Sequence, residues 1–101
     1  MAVSCISDSR ELSAVLTGEL DHHSAKQVME ELDRRMEREL PRRLTIDMGG
    51  VTFMDSSGIA VVLRAHRRMA QLQGSVTVTN VPQQAKRVFQ AAGLHRIITF
   101  L

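Results

Sequence analysis

The residues best placed to do chemistry lie in the run Phe53-Met54-Asp55-Ser56-Ser57-Gly58-Ile59. Two adjacent hydroxyls follow a carboxylate and precede a glycine. The run joins an apolar stretch that reads as a strand to a stretch with helical period. A helix N-terminus leaves backbone N–H groups without partners and carries the positive end of the helix dipole, so negative charge is favoured there. Ser56 therefore stands where an added phosphate is tolerated. The same residues also have a plain structural use. Asp55, Ser56 or Ser57 can cap the helix, and Gly58 can allow close packing; local physics alone favours that use.

Other candidates carry less. His22-His23 suggests a metal, but adjacent residues rarely chelate one ion, and no Cys/His/Asp spacing completes a set of ligands. The chain has no Gly-rich phosphate loop of the GxxxxGK type. Ser56 and Ser57 lack the pattern of a nucleophile elbow, so a hydrolase would need a histidine brought close by the fold. Arg64, Arg67 and Arg68 form a basic run that reads as a solvated face, with partner binding the alternative. Cys5 reads as a small buried hydrophobe. No cofactor is expected, and the expectation is a binding protein, not an enzyme.

These residues must be positioned by a chain of 101 residues, enough for one domain spanning 1–101. Hydrophobic residues make up 44% and charged residues 24%, a globular balance. With three Phe and no Tyr or Trp, the core must be aliphatic. The net charge is +2, and the basic residues are interleaved with acidic ones, which argues against a nucleic-acid partner. One cysteine fits a reducing cytosol. Asp8, Arg10 and Glu11 interrupt any signal-like apolar run, and no stretch reaches membrane-spanning length, so a cytoplasmic protein without a membrane partner is expected.

Strand and helix periods alternate along the chain. Ala2–Ile6 and Leu12–Thr17 read as a hairpin turning at Asp8-Ser9-Arg10, with Gly18 to Asp21 as a loop. Ser24 and Gln27 form a capping-box pattern. Ala25, Val28, Met29, Leu32, Met36 and Leu40 then recur on one helical face, and Pro41 helps to stop the helix. Leu44, Ile46 and Met48 alternate as a strand, Gly49-Gly50 marks a turn, and Val51 to Met54 is a short apolar approach. A second helix runs from Ser56 or Ser57 to about Gln73, burying Ile59, Val62, Leu63, Met69 and Leu72. Val76–Val81 is a strand, Pro82 opens a third helix, and Ile97–Leu101 is a last strand. The expected class is α/β, a mixed β-sheet packed against helices in the order β-β-α-β-α-β-α-β, with right-handed parallel crossovers.

Phe53-Met54-Asp55-Ser56-Ser57-Gly58-Ile59-Ala60-Val61-Val62-Leu63 resembles the signature of the anti-sigma factor antagonists of the STAS domain family. Leu16 to His23 resembles an earlier loop of that family, especially in its sporulation-type members. Pro82 to Phe89, with Ala92-Gly93-Leu94, resembles its late helix. The resemblance covers nearly the whole chain and implies a STAS-like fold. It further implies a protein that binds an anti-sigma factor which is also a serine kinase, freeing a sigma factor for transcription. The kinase would move the ATP γ-phosphate to Ser56, leaving ADP; the modified form would let go, and a metal-dependent serine phosphatase would restore it. The partner surface implied comprises Glu19, Asp21, His22, Asp55, Ser56, Ser57, Gly58 and Ile59. Asp55 would either orient the Ser56 hydroxyl or cap the helix. The alternative is a non-switching STAS scaffold subunit of a stress-sensing or lipid-transport complex. Related antagonists continue into a C-terminal helix packed on the sheet, whereas this sequence ends at Leu101. Apolar surface near the last strand is therefore expected to be exposed, which bears on whether the chain stays monomeric.

Overall fold

The computed structural model describes residues 1–101. The elements run β1 (Ala2–Asp8), β2 (Glu11–Leu20), α1 (His22–Glu39), β3 (Arg43–Met54), α2 (Ser57–Gln71), β4 (Ser75–Thr79), α3 (Gln83–Ala91), a 3₁₀ turn (Leu94–Arg96) and β5 (Thr99–Phe100). The five strands form one sheet in spatial order β1-β2-β3-β4-β5. The β1–β2 pair is antiparallel and the other pairs are parallel. The chain order is the one that the alternating periods predict.

Alternation fixes which face is covered. Leu12, Ala14 and Leu16 of β2 are fully buried, whereas Ser13, Val15 and Thr17 between them are exposed. Right-handed crossovers taken successively in one direction place the connecting helices on a common face. That face holds the core, a single cluster of 23 buried residues in which Phe89 is the only aromatic. The core is aliphatic, as the scarcity of aromatics requires. The α1 contribution is Ala25, Val28, Leu32 and Met36, and the α2 contribution includes Val61, Val62, Ala65 and Met69. Val61 and Ala65 replace part of the expected face, because Ile59, Leu63 and Leu72 are only partly buried.

Two expected breaks are strand. β2 continues through Gly18 and Glu19 to Leu20, and β3 runs unbroken through Gly49-Gly50. β3 uses 12 residues where β2 uses 10, and the register slips at two places to absorb the difference. Val15 pairs with Asp47 but Thr17 with Gly50, and Gly18 pairs with Val51 but Glu19 with Phe53. Gly49 is unpaired at the first slip and Gly50 and Gly18 pair beside the slips, so none of the three is a turn residue. Gly18 has φ +102, a conformation that side-chain-bearing residues rarely adopt.

Other boundaries shift by smaller amounts. The α1 cap is Asp21, not Ser24, and the reciprocal box partner is Ser24, not Gln27. Leu40 is the left-handed C-cap and 54% exposed, so the apolar face of α1 ends at Met36. Of the expected last strand Ile97–Leu101 only Thr99–Phe100 is strand, and a 3₁₀ turn at Leu94–Arg96 precedes it; Ile97 and Leu101 are exposed. Cys5 is only partly buried.

Arg64 and Arg68 are not a free basic face. Arg64 donates to Asp33 through both Nε (2.9 Å) and Nη2 (2.7 Å), and Arg68 pairs with Glu37 and approaches Asp33 at 3.8 Å. These pairs clamp α2 to α1.

Candidate functional site

β2 and β3 are adjacent and parallel, so they end at the same edge of the sheet. Leu20 pairs with Met54, and the Asp55 N–H donates to the Leu20 carbonyl at 3.2 Å. Both side chains are fully buried, which anchors the two strand ends. One residue further on, each strand delivers an aspartate to the start of a helix: Asp21 to α1 and Asp55 to α2.

Each aspartate is held by backbone donors. Asp21 Oδ1 accepts from the His23 and Ser24 N–H groups, both at 3.0 Å. Ser24 Oγ accepts from the Asp21 N–H at 3.1 Å and donates to the Glu19 carbonyl at 2.9 Å, pinning the end of β2 to the helix. Asp55 spans two elements. Its Oδ1 accepts from the Ser57 N–H at 2.7 Å, and its Oδ2 from the His22 N–H at 3.1 Å. One carboxylate therefore ties the first turns of α1 and α2 together. Between a role in orienting Ser56 and a role in capping, the geometry gives Asp55 the cap.

The donors hold both carboxyls below the ordinary carboxylate range. For Asp55 the Ser57 N–H is the largest cause, with the Ser57 side chain and the His22 N–H adding to it against partial desolvation. For Asp21 the Ser24 N–H is the largest cause, with the His23 N–H and Ser24 side chain adding to it. A carboxyl lowered in the folded state stabilises the fold fully above its unfolded value, and that contribution is lost as pH falls through the lowered value. Melting temperature should accordingly drop as pH falls below about 4. The Asp21→Asn/Asp55→Asn pair should melt lower at neutral pH and show a flatter acid limb in a melting series from neutral to acid.

Ser56 occupies the N-cap position of α2 with φ −63 and ψ −15, already helical, and its side chain makes no capping bond. It is exposed, whereas Ser57 is partly buried. The Ser56 hydroxyl thus does no structural work at a helix N-terminus that leaves it open to solvent. Gly58 is buried directly against Met54, and a Cβ at that position would overlap the Met54 side chain. Gly58→Ala should overpack this contact and cost about 1–3 kcal/mol in urea unfolding. A loss well below that range would show that Met54 yields without cost.

The expected partner surface divides into three kinds of residue. Glu19, His22 and Ser56 are exposed; Asp21, Asp55, Ser57 and Ile59 are partly buried; Gly58 is buried beneath them. The structure brings all eight to the same edge of the sheet. Only Glu19 offers a carboxylate with no structural bond of its own. His22 and His23 meet edge to face with ring centroids 5.7 Å apart, and no group of three or more metal-ligating side chains forms around them.

Two residues here had no individual signal in the sequence. Phe53 is the register partner of Glu19 and is 44% exposed. The second β3 bulge turns it outward; without a view of the bulge it reads as one more apolar strand residue. Gln84, in the first turn of α3, closes both free backbone groups of Met54: its Oε1 accepts from the Met54 N–H at 2.9 Å and its Nε2 donates to the Met54 carbonyl at 2.7 Å. All three helices thus contribute a first turn to the same edge.

Comparison with known proteins agrees with this construction. A family model, STAS domain, matches residues 10–101. An anti-sigma F factor antagonist from Paenibacillus polymyxa is 31% identical over 83 residues, covering 82% of this chain and 71% of that protein. The anti-sigma factor antagonist SpoIIAA in its unphosphorylated form superposes with a TM-score of 0.77 at 24% identity, covering 99% of this chain and 87% of that one. The phosphorylated form of the Bacillus cell fate determinant SpoIIAA superposes with a TM-score of 0.76 at 26% identity, covering 99% and 91%. No helix of the chain is long and apolar enough to cross a membrane. With the family model spanning nearly the full sequence and the mixed sheet and helix order in agreement, the chain belongs to the STAS domain family.

Proposed function

We propose that this chain is an anti-sigma factor antagonist acting in the cytoplasm as a single domain of residues 1–101. Its partner is an anti-sigma factor that is also a serine kinase, and binding frees the sigma factor. Transfer of the ATP γ-phosphate to the Ser56 Oγ, with ADP as the leaving group, releases the partner; hydrolysis by a serine phosphatase resets the switch. The protein is the substrate of these enzymes and performs no chemistry itself.

The observation that carries this reading is the unengaged Ser56 hydroxyl. A serine used as a helix cap is occupied; this one is exposed at the cap position while Asp55 does the capping. That arrangement favours a switch over a non-switching scaffold, in which a serine at the cap position is free to do the capping itself. Family resemblance adds weight: the curated relative is an anti-sigma F factor antagonist, and a fold-mate exists in phosphorylated form.

The binding surface extends over the tips of β2 and β3. Because Asp21 caps α1, Asp21→Ala mixes loss of contact with loss of helix stability. Glu19→Ala is the clean probe: it should weaken partner binding several-fold with circular dichroism unchanged. Unchanged affinity in calorimetry would remove Glu19 from the interface. Incubation with the kinase and Mg-ATP should add one phosphate, mapped to Ser56, and Ser56→Ala should abolish it. A phosphate mapped to Ser57 would overturn the assignment.

A further inference from the structure

The opposite edge of the sheet carries a second built surface. The Ser9-Arg10 turn, the α1–β3 connection and the α2–β4 connection are joined there by backbone hydrogen bonds. The Arg10 carbonyl accepts from the Arg42 N–H at 2.8 Å and the Arg43 N–H at 3.3 Å, and the Arg42 carbonyl accepts from the Ser75 N–H at 3.0 Å. An open cleft of about 650 Å³ lies on this platform, lined by Ser9, Arg10, Glu11, Arg42 and Arg43. A neighbouring cleft of about 310 Å³ shares Arg10 and Arg42 and adds Leu40 and Leu72.

Three arginines and one glutamate line the larger cleft. Glu11 pairs with Arg43 at 3.3 Å, and the chain's ion pairs include neither Arg10 nor Arg42. Like charges held together repel unless an anion joins them. The backbone is also unusual here. Of the five non-glycine residues with positive φ, four lie at this edge: Ser9 (50°), Arg10 (67°), Leu40 (46°) and Gln73 (59°). Glycine would suit the Arg10 position better, so the chain carries a long side chain where its backbone disfavours any.

We propose that this paired cleft docks an acidic segment of a partner protein that carries leucine-like side chains between its carboxylates. Arg10 and Arg42 take the carboxylates through forked hydrogen bonds, and the exposed side of Leu40, with Leu72, takes the apolar groups. Three cations are too few for the 4–8 basic residues of an anionic-lipid site. The clefts also have no aromatic residue on which a base can stack. The surface lies a full β3 length from Ser56, so a segment docked there leaves the Ser56 edge uncovered.

The test uses the full chain and an acetylated peptide of sequence Asp-Leu-Glu-Glu-Leu-Asp, followed by backbone amide shifts and calorimetry. Shifts should centre on Arg10, Leu40, Arg42 and Leu72. Arg10→Gly and Arg42→Gln should each weaken binding by about fivefold or more, while Arg87→Gln, far from the cleft, leaves it unchanged. Arg10→Gly should at the same time keep or raise the melting temperature, which separates loss of contact from loss of fold. Ser56→Asp should bind the peptide as the parent does, so this result is independent of the phosphorylation switch. Shifts outside the cleft, equal weakening by Arg87→Gln, undiminished binding after leucine-to-serine exchange in the peptide, or tighter binding of single-stranded DNA or anionic vesicles would each overturn the proposal.

Discussion

Phosphorylated on Ser56, the protein should keep its fold and melt within a few degrees of the unmodified form, yet bind its kinase partner at least about 100-fold more weakly. Both halves follow from the position of the serine. A phosphoserine adds about −1.5 to −2 charge at neutral pH. In the free protein that charge sits in water at the N-terminus of α2, where the dipole and unpaired donors favour an anion. The Ser56 hydroxyl makes no capping bond that phosphorylation would break, and the Asp55 hydrogen bonds to Ser57 and His22 remain available. A melting mechanism has nothing to act on. In the proposed complex the penalty would arise because the charge loses water against a surface matched to a neutral hydroxyl, beside Glu19, Asp21 and Asp55, whose repulsion water screens in the free protein. The SpoIIAA structures to which this chain is similar include both an unphosphorylated and a phosphorylated form. Amide shift changes should be confined to Ser56 and its neighbours. Loss of dispersion throughout α2 would show that the switch works by unfolding.

Replacing Phe53 should also weaken the interface, by a smaller factor and without any phosphate. Exposed large apolar side chains near a binding edge are natural anchors, and aromatic residues dominate the energetics of protein interfaces. Phe53 is the chain's one aromatic that is not packed in or against the core. It stands beside Glu19 in register and three residues before Ser56. Phe53→Ala should therefore weaken partner binding by about 2 kcal/mol, roughly 30-fold, a typical hot-spot loss. Stability should change little, because the side chain is already 44% exposed. Calorimetry with the partner and urea unfolding of the free variant separate the two effects. A variant that binds normally, or that loses binding only because it unfolds, would exclude Phe53 as an anchor.

The sequence made the class of fold readable because each helix carries its apolar period and each strand its alternation. Ala25, Val28, Leu32 and Met36 fall on one face by spacing alone, and the structure buries all four. The misreadings share a cause. Gly18, Gly49 and Gly50 announce a departure from regular geometry, but a turn and a bulge look alike until the partner strand is in view. Reading Gly18 to Asp21 as a loop moved the expected cap from Asp21 to Ser24. Reading Gly49-Gly50 as a turn hid the first slip in β3, and reading Gly18 to Asp21 as a loop hid the second, which exposes Phe53. The Arg64 and Arg68 pairs with Asp33 and Glu37 depend on how α1 and α2 cross, which spacing does not encode.

The candidate site was legible as a motif but not as a geometry. Ser56 and Ser57 are chemically equivalent in the sequence. Their difference appears only when Asp55 is seen to engage the Ser57 N–H, leaving Ser56 in the cap position with its hydroxyl free and exposed. Likewise, Asp21 and Glu19 look equally available, yet only Glu19 is unoccupied.

The most direct test of the switch is a single mass measurement series on the full chain after incubation with an anti-sigma factor kinase and Mg-ATP. The parent and Ser57→Ala proteins should each gain one phosphate on Ser56, with ADP formed in equal amount, and Ser56→Ala should gain none. Phosphate on Ser57, or an unmodified parent protein in the presence of a kinase that binds it, would contradict the account.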